Sequence, residues 1–320
     1  MLRKITSSIV ILLVFAFFSQ CAFSAVGNAG LEVGNGLSHL TDDAQKAGAE
    51  AAGQAKKALG DASPKVVLVF DNLKNDIAEK EKMIEGVGSV FDKALIYGCT
   101  SYSPLTQQSN EGTVGVLAMS GDVAVTTAVA DLYDGYKPCG VKIGACLQQQ
   151  GLPDSKGKVL LLFGDCHVDK NDALVAGVKS ILGEKFPIVG GASRGDFLYY
   201  KGKIVRKSNL GLLLSGNFKC GFSTKKDNSP EGLITSARQA CSEAVAGKKD
   251  DVVMTFAFDC GGRRGMMKEN LPKELAEMKE IIGESPLFGF YGSGENGPVD
   301  NETPSRGVGY HVAICSIKSK

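Results

Sequence analysis

Three stretches of this chain repeat one another at a fixed step. Lys65-Val66-Val67-Leu68-Val69-Phe70 returns as Lys158-Val159-Leu160-Leu161-Leu162-Phe163, then as Asp251-Val252-Val253-Met254-Thr255-Phe256. The copies begin at residues 65, 158 and 251, a constant step of 93. Each run is short and apolar, which reads as a buried strand. Each leads into a segment of helical apolar spacing, over 73–87, 171–182 and 273–282. A second strand follows and closes on small residues: Gly98-Cys99-Thr100-Ser101, Gly190-Gly191-Ala192-Ser193 and Gly292-Ser293-Gly294. A third strand comes next, around Val114–Leu117, Leu210–Leu213 or Val308–His311. Helical connectors precede the copies at 44–59, 141–150 and 232–245.

The order of elements repeats as well as the residues, so the chain is read as α/β, with mixed sheets built from three quasi-repeated helix-strand-helix-strand-strand units. The period is too long and the copies too few for an open solenoid, so a closed body is expected. Strand–helix–strand units favour right-handed crossovers and parallel pairs. The strand pair ending each unit is expected to be antiparallel. Open α/β sheets bind ligands outside the carboxyl ends of their strands. Small residues at such ends let a ligand or another backbone come close. Gly98–Ser101, Gly190–Ser193 and Gly292–Glu295 are therefore expected at equivalent strand ends around a binding region.

Residues 1–24 read as a secretory signal peptide. Arg3 and Lys4 precede the apolar run Ile9–Phe18, and Ala22 sits three residues before a cleavage point after Ser24. Lipid attachment at Cys21 is an alternative that Phe18-Ser19-Gln20 matches poorly. The mature chain is expected to be exported, periplasmic or secreted, with no transmembrane segment. A Gly/Asn-rich tether is expected over 25–40, then two quasi-repeats over 41–220 and the third over 221–320. With 36 basic and 35 acidic residues, there is no electrostatic footprint for nucleic acid. Eight cysteines lie beyond the leader, and only Cys139 and Cys146 are close enough in the chain to suggest a local bridge.

Chemistry-bearing residues concentrate in the third copy. Asp259-Cys260-Gly261-Gly262-Arg263-Arg264 is read as a strand end followed by a polar turn. Its guanidinium groups could clamp a carboxylate or phosphate, or lower the Cys260 pKa. A nucleophile would also need a base and an oxyanion hole, and of His39, His167 and His311 none is placed beside Cys260. Gly292-Ser293-Gly294-Glu295-Asn296-Gly297 has dinucleotide-loop spacing, but loop-forming residues follow where a helix N-terminus is required. Asp165-Cys166-His167-Val168-Asp169 gathers metal-ligand types without a second spaced pair. No cofactor and no metal are expected.

Phe258-Asp259-Cys260-Gly261-Gly262-Arg263-Arg264, Pro286-Leu287-Phe288-Gly289-Phe290-Tyr291 and Gly294-Glu295-Asn296-Gly297-Pro298 resemble the C-terminal half of the FIST domain. The first two copies resemble its N-terminal half. There the match is looser: Gly98-Cys99-Thr100-Ser101 stands where the family tends to show Gly-Cys-Ser-Thr, and no acidic residue follows it. The resemblance implies a sensory module for a small ligand, an amino acid or other small anion, without a fused output domain and with a signalling protein as a partner. It is expected not to be an enzyme. The candidate ligand contacts are Cys99, Thr100, Ser101, Ser193, Arg194, Cys260, Arg263, Arg264, Tyr291, Ser293, Glu295 and Asn296; from the repeat itself, Arg263, Tyr291 and Glu295 are expected to line one cavity with Cys260 in or beside it. The alternatives are a thiol-dependent enzyme using Cys260 or Cys99, and a protein-interaction domain without a small ligand.

Overall fold

The computed structural model describes residues 30–155, 157–164 and 168–319. The expected signal peptide, Cys21 and the stretch Asp165-Cys166-His167 lie outside those residues. The first unit contains β1 (Leu31–Ser38), α1 (Ala44–Leu59), β2 (Val66–Asp71), α2 (Ile77–Gly88), β3 (Ile96–Thr100), β4 (Ser103–Thr106) and β5 (Val114–Gly121). The second contains β6 (Val123–Asp131), α3 (Tyr136–Gln149), β7 (Gly157–Gly164), α4 (Val168–Leu182), β8 (Ile188–Ala192), β9 (Leu198–Tyr200), β10 (Lys203–Val205) and β11 (Ser208–Gly216). The third contains β12 (Lys219–Lys226), α5 (Pro230–Val245), β13 (Val252–Cys260), α6 (Gly261–Met267), α7 (Leu271–Ile282), β14 (Leu287–Gly292), β15 (Glu295–Gly297), β16 (Arg306–Val308) and β17 (His311–Lys318).

Each unit builds the same four-strand order: β1-β5-β2-β3, β6-β11-β7-β8 and β12-β17-β13-β14. The pairs joined by a helical crossover are parallel: β2 with β3, β7 with β8, β13 with β14. The closing strand runs antiparallel to them, as expected, but it pairs with the first strand of the crossover instead of the second. A fourth strand per unit was not anticipated. Residues 31–38, expected as part of the tether, form β1, and β6 and β12 are its counterparts. Gly34 and Gly36 hide β1 in the sequence, because they let α1 lie directly against it. An added Cβ at Gly36 would come 2.2 Å from Ala51 O.

The short inserts are exchanged in a ring. β9 and β10 of the second unit extend the first sheet beside β3. β15 and β16 of the third extend the second sheet beside β8, and β4 of the first pairs with β14 in the third. Each sheet is thus completed by another unit, and the body closes on itself.

The sheets' inner faces meet in one core drawn from all three, while helices cover each outer face. At its centre Phe70, Phe163 and Phe258 contact one another edge to face, with centroids 5.4, 6.5 and 6.0 Å apart. They are equivalent by register, standing opposite Cys99, Gly191 and Phe290 on the parallel neighbour. Strands buried on both faces need continuous apolar runs, which is why the three runs resemble one another.

The helix α1 begins where Asp43 accepts from Lys46 N and ends at Gly60, whose φ of 71° terminates it. The expected polar turn after Cys260 is the short helix α6. A Cys139–Cys146 bridge is ruled out: both lie on α3, seven residues apart, about 10 Å along the axis. Both thiols are free.

Candidate functional site

Where the parallel strands end, the units are tied by a closed ring of backbone hydrogen bonds. Arg194 N donates to Thr100 O (3.0 Å), Tyr102 N to Tyr291 O (2.8 Å) and Ser293 N to Ala192 O (2.9 Å). The strand registers make Thr100, Ala192 and Tyr291 equivalent. This corrects the expected alignment of the third copy by three residues. Gly289 to Gly292, not Gly292 to Glu295, correspond to Gly98–Ser101 and Gly190–Ser193. A close approach fixes the first glycine of each set. An added Cβ would fall 1.8 Å from Val69 O at Gly98, 2.2 Å from Leu162 O at Gly190 and 1.7 Å from Ala257 O at Gly289.

In the first two units the expected contacts are spent on the ring itself. Thr100 Oγ1 donates to Arg194 O at 3.0 Å, and Ser101 Oγ to Asp71 O at 3.1 Å. Ser193 Oγ donates to Gly195 O. Arg194 donates through Nη1 to Asn72 Oδ1 and through Nη2 to Leu73 O. Cys99 is fully buried in the common core, and burial, then the charge of Asp71, holds its thiol well above the usual range. Beside it Asp71 is ion-paired with buried Lys80 and accepts from Tyr199 OH. Sequence reading missed this trio. The signal was that Asp71 closes the first apolar run at the position where Asp259 closes the third.

The third unit holds a larger buried network. Arg263 has no solvent exposure, and neither do Glu274 and Tyr291. Its Nε donates to Asp259 Oδ1 (2.6 Å) and its Nη2 to Glu274 Oε1 (3.0 Å). Ser236 Oγ and Leu233 O take further N–H groups. Tyr291 OH donates to Glu274 Oε2 at 2.6 Å and accepts from Asn110 Nδ2. Burial opposes the charge on Arg263, but the two carboxyls outweigh it and raise its pKa. Burial and the charge of Asp259 push Glu274 well up. Two carboxyls against one guanidinium leave one negative charge too many for a dry site, so this cluster keeps a proton. Arg263 is therefore no free anion clamp, because its carboxylate partners are internal. Arg263 and Tyr291 are brought together, through Glu274, away from solvent.

Glu295 lies outside that network. It opens β15, opposite Gly191 on one side and Val308 on the other. Its Oε2 accepts from His311 N at 3.0 Å, while Oε1, fully buried, has no nitrogen or oxygen donor among the described residues. The Cys260 thiol is its side-chain neighbour, and burial pushes the Glu295 carboxyl well above its ordinary range. Cys260, 8% exposed, is itself pushed up to about 11 by burial and by the charge of Glu295. The N–H groups of Gly262, Tyr310 and Arg263 oppose that rise. The thiol is thus protonated at neutral pH, opposite to the activated thiolate considered from sequence.

Gly261 and Gly262 let two tyrosine rings close over this point. An added Cβ would come 2.4 Å from Tyr102 Cδ2 at Gly261 and 3.0 Å from Tyr310 Cζ at Gly262. Both rings remain partly exposed, at 37% and 45%. Ser293 Oγ reaches Tyr102 OH at 3.4 Å, and Asn296 Nδ2 donates to Leu162 O. Arg264 turns away toward Glu111, at 3.6 Å, with its guanidinium over the Tyr291 ring. The structure therefore joins Cys260 with Glu295 and His311, and Arg263 with Tyr291. It does not bring Arg263 and Glu295 into direct contact. A depression of about 450 Å³ lined by Asp122, Asp154, Ser215 and Asn217 lies at the opposite strand ends and contains none of these residues.

Among the described residues, no helix is long and apolar enough to cross a membrane. Nor is there any group of three or more His, Cys, Asp and Glu residues arranged to hold a metal ion.

Family comparison matches residues 65–241 to the FIST N domain and residues 224–298 to the FIST C domain. No curated protein matches the chain. Among solved structures, the cyanuric acid hydrolase of A. caulinodans is similar at 10% identity and a TM-score of 0.46. The match covers 90% of this chain and 99% of that one. A second cyanuric acid hydrolase structure is similar at 8% identity and a TM-score of 0.47, over 89% of this chain and 98% of that one.

Proposed function

Because the chain belongs to the FIST family, a family of small-ligand sensory modules, we propose that it is an exported binding module for a small polar ligand. The ligand site of this reading lies at the ring of strand ends, beside Cys260 and Glu295 and under Tyr102 and Tyr310. The observation that carries it is Glu295: a fully buried carboxyl, one oxygen of which has no nitrogen or oxygen donor, set behind a thiol and two half-open aromatic rings. Its side-chain partner is the Cys260 thiol, a weak donor, which leaves a buried carboxyl under-satisfied. A ligand bearing N–H groups, such as an amino acid or a primary amine, supplies the missing donors. A simple anion gains less here, because Arg194 and Arg263 are committed to protein acceptors.

Export is supported by the pattern of residues 1–24, and the sensory role implies a signalling protein that reads the bound state. Thermal-shift screening of L-amino acids and small primary amines at millimolar levels tests the reading. It expects a stabilising hit that Glu295→Gln abolishes and Lys82→Ala, at an exposed site on α2, leaves intact. Hits confined to dicarboxylates, or hits indifferent to Glu295→Gln, would place the ligand elsewhere.

A further inference from the structure

The depression at the far strand ends is built largely by two junctions between units. Asp122 stands on the turn from β5 to β6, and Asn217 on the turn from β11 to β12. Asp154 and Ser155 come from the connection between α3 and β7. The buried member of the lining is Ser215 on β11, only 1% exposed, and among the described residues its Oγ has no hydrogen-bond partner. The first unit shows how such a position is normally closed. Val66 and Val159 stand 93 residues apart at equivalent points of the repeat, and they pair with Met119 and Leu214. The next residues, Ser120 and Ser215, are therefore equivalent. Ser120 Oγ donates to Ser63 O in the connection before β2, and Ser120 lies opposite Glu32 on β1. Ser215 lies opposite Ala124 on β6. A short side chain stands where the first unit has a long one, the hydroxyl is left unmet, and about 450 Å³ lies open over it.

We propose that this depression is a second binding site, separate from the one beside Glu295, and that it takes a small aliphatic diamine or polyamine. Both ionisable residues of the lining are carboxylates, and Lys158, opposite Ser215 on β7, is outside it. Among the described residues no aromatic ring lines the depression, so a flat or sugar-like ligand has nothing to stack on. The volume suits a small molecule rather than a bare ion. Ammonium groups set against Asp122 and Asp154 leave an N–H to donate to Ser215 Oγ. Ser155 Oγ donates to Gly157 O and keeps its lone pairs for a ligand donor, as does the Asn217 carbonyl. Asp122 and Asp154 are exposed, so each contributes modestly and is weakened by salt. A ligand with one ammonium group engages one of them; a diamine engages both.

The test titrates the purified chain with putrescine and spermidine at low ionic strength, by calorimetry and by thermal shift, with butylamine as the single-charge control. Both polyamines should bind and raise Tm, and added salt should weaken them. Asp122→Asn and Asp154→Asn should each weaken binding roughly two- to fivefold. Ser215→Ala should weaken it roughly tenfold. The same variant should leave the Tm of the ligand-free chain unchanged or higher, because the hydroxyl it removes has no partner there. Glu295→Gln should leave polyamine binding intact, which separates this site from the other. The proposal is overturned if neither polyamine binds at millimolar concentration, or if butylamine binds as tightly as putrescine. It is equally overturned if binding survives both Ser215→Ala and the two aspartate changes, or if Glu295→Gln alone abolishes it.

Discussion

Arg263 and Glu274, eleven residues apart in sequence, form an ion pair in which neither side chain meets solvent, with Nη2 3.0 Å from Oε1. Asp259 shares the same guanidinium from the end of β13. The pair therefore fastens α6 to α7 and both to the sheet. Removing Arg263 leaves two buried carboxyls with no counter-charge. Breaking a buried pair from one side costs about 3–5 kcal/mol. Arg263→Ala should therefore unfold at markedly lower urea, whereas Glu274→Gln, which keeps an acceptor for Arg263 and gives up only the one facing Tyr291, should lose less. Equal midpoints for the two variants would show that the guanidinium is not the keystone.

Glu295 makes stability fall as pH rises. Its folded pKa is raised above the ordinary 4.5, chiefly by burial, so the folded state holds the proton more tightly than the unfolded state. That contribution is complete below about pH 4.5 and is lost as pH climbs through the raised folded value. Glu295→Gln removes the titration. Its Tm should gain on wild type as pH rises above about 4.5, and a difference that does not change with pH contradicts the assignment.

Glycine to alanine should have opposite signs at two positions. At Gly98, φ is 149° and a Cβ would lie 1.8 Å from Val69 O, so Gly98→Ala must push β3 away from β2. A loss of several kcal/mol is expected there. Gly53 is in α1 with nothing within 4 Å of its added Cβ, so Gly53→Ala should stabilise by about 0.5–1 kcal/mol. Denaturant midpoints check both.

Much of this architecture was legible because strands buried on both faces must be apolar throughout. The repeated runs ending at Phe70 and Phe163 therefore marked the unit and its count. β1, β6 and β12 were harder to see. β6 and β12 carry polar residues on partly exposed edges, whereas in buried β1 Gly34 and Gly36 reflect the approach of a helix, a contact with no periodic signature. The register of the third unit was also obscured, because Gly289 and Gly292 both look like strand-end glycines and only the approach to Ala257 O distinguishes them. Arg263 read as a ligand clamp for a related reason. Its partner Glu274 sits at a helical position that looks exposed in sequence, and only the fold buries it.

The thiols provide a further check. Cys260 is pushed up to about 11 by burial and by Glu295, and burial in the core holds Cys99 well above the usual thiol range. In the native protein both should resist iodoacetamide at pH 7 and react fully once unfolded. Rapid native alkylation of Cys260 at neutral pH would revive the thiol-enzyme alternative.

The central claim is that one small polar ligand binds beside Glu295, a position the first two units do not reproduce. Calorimetric titration of the best stabilising amino acid or amine measures this directly. The account expects one site per chain, with binding lost in Glu295→Gln at unchanged fold. A stoichiometry of three, or full affinity in Glu295→Gln, would contradict it.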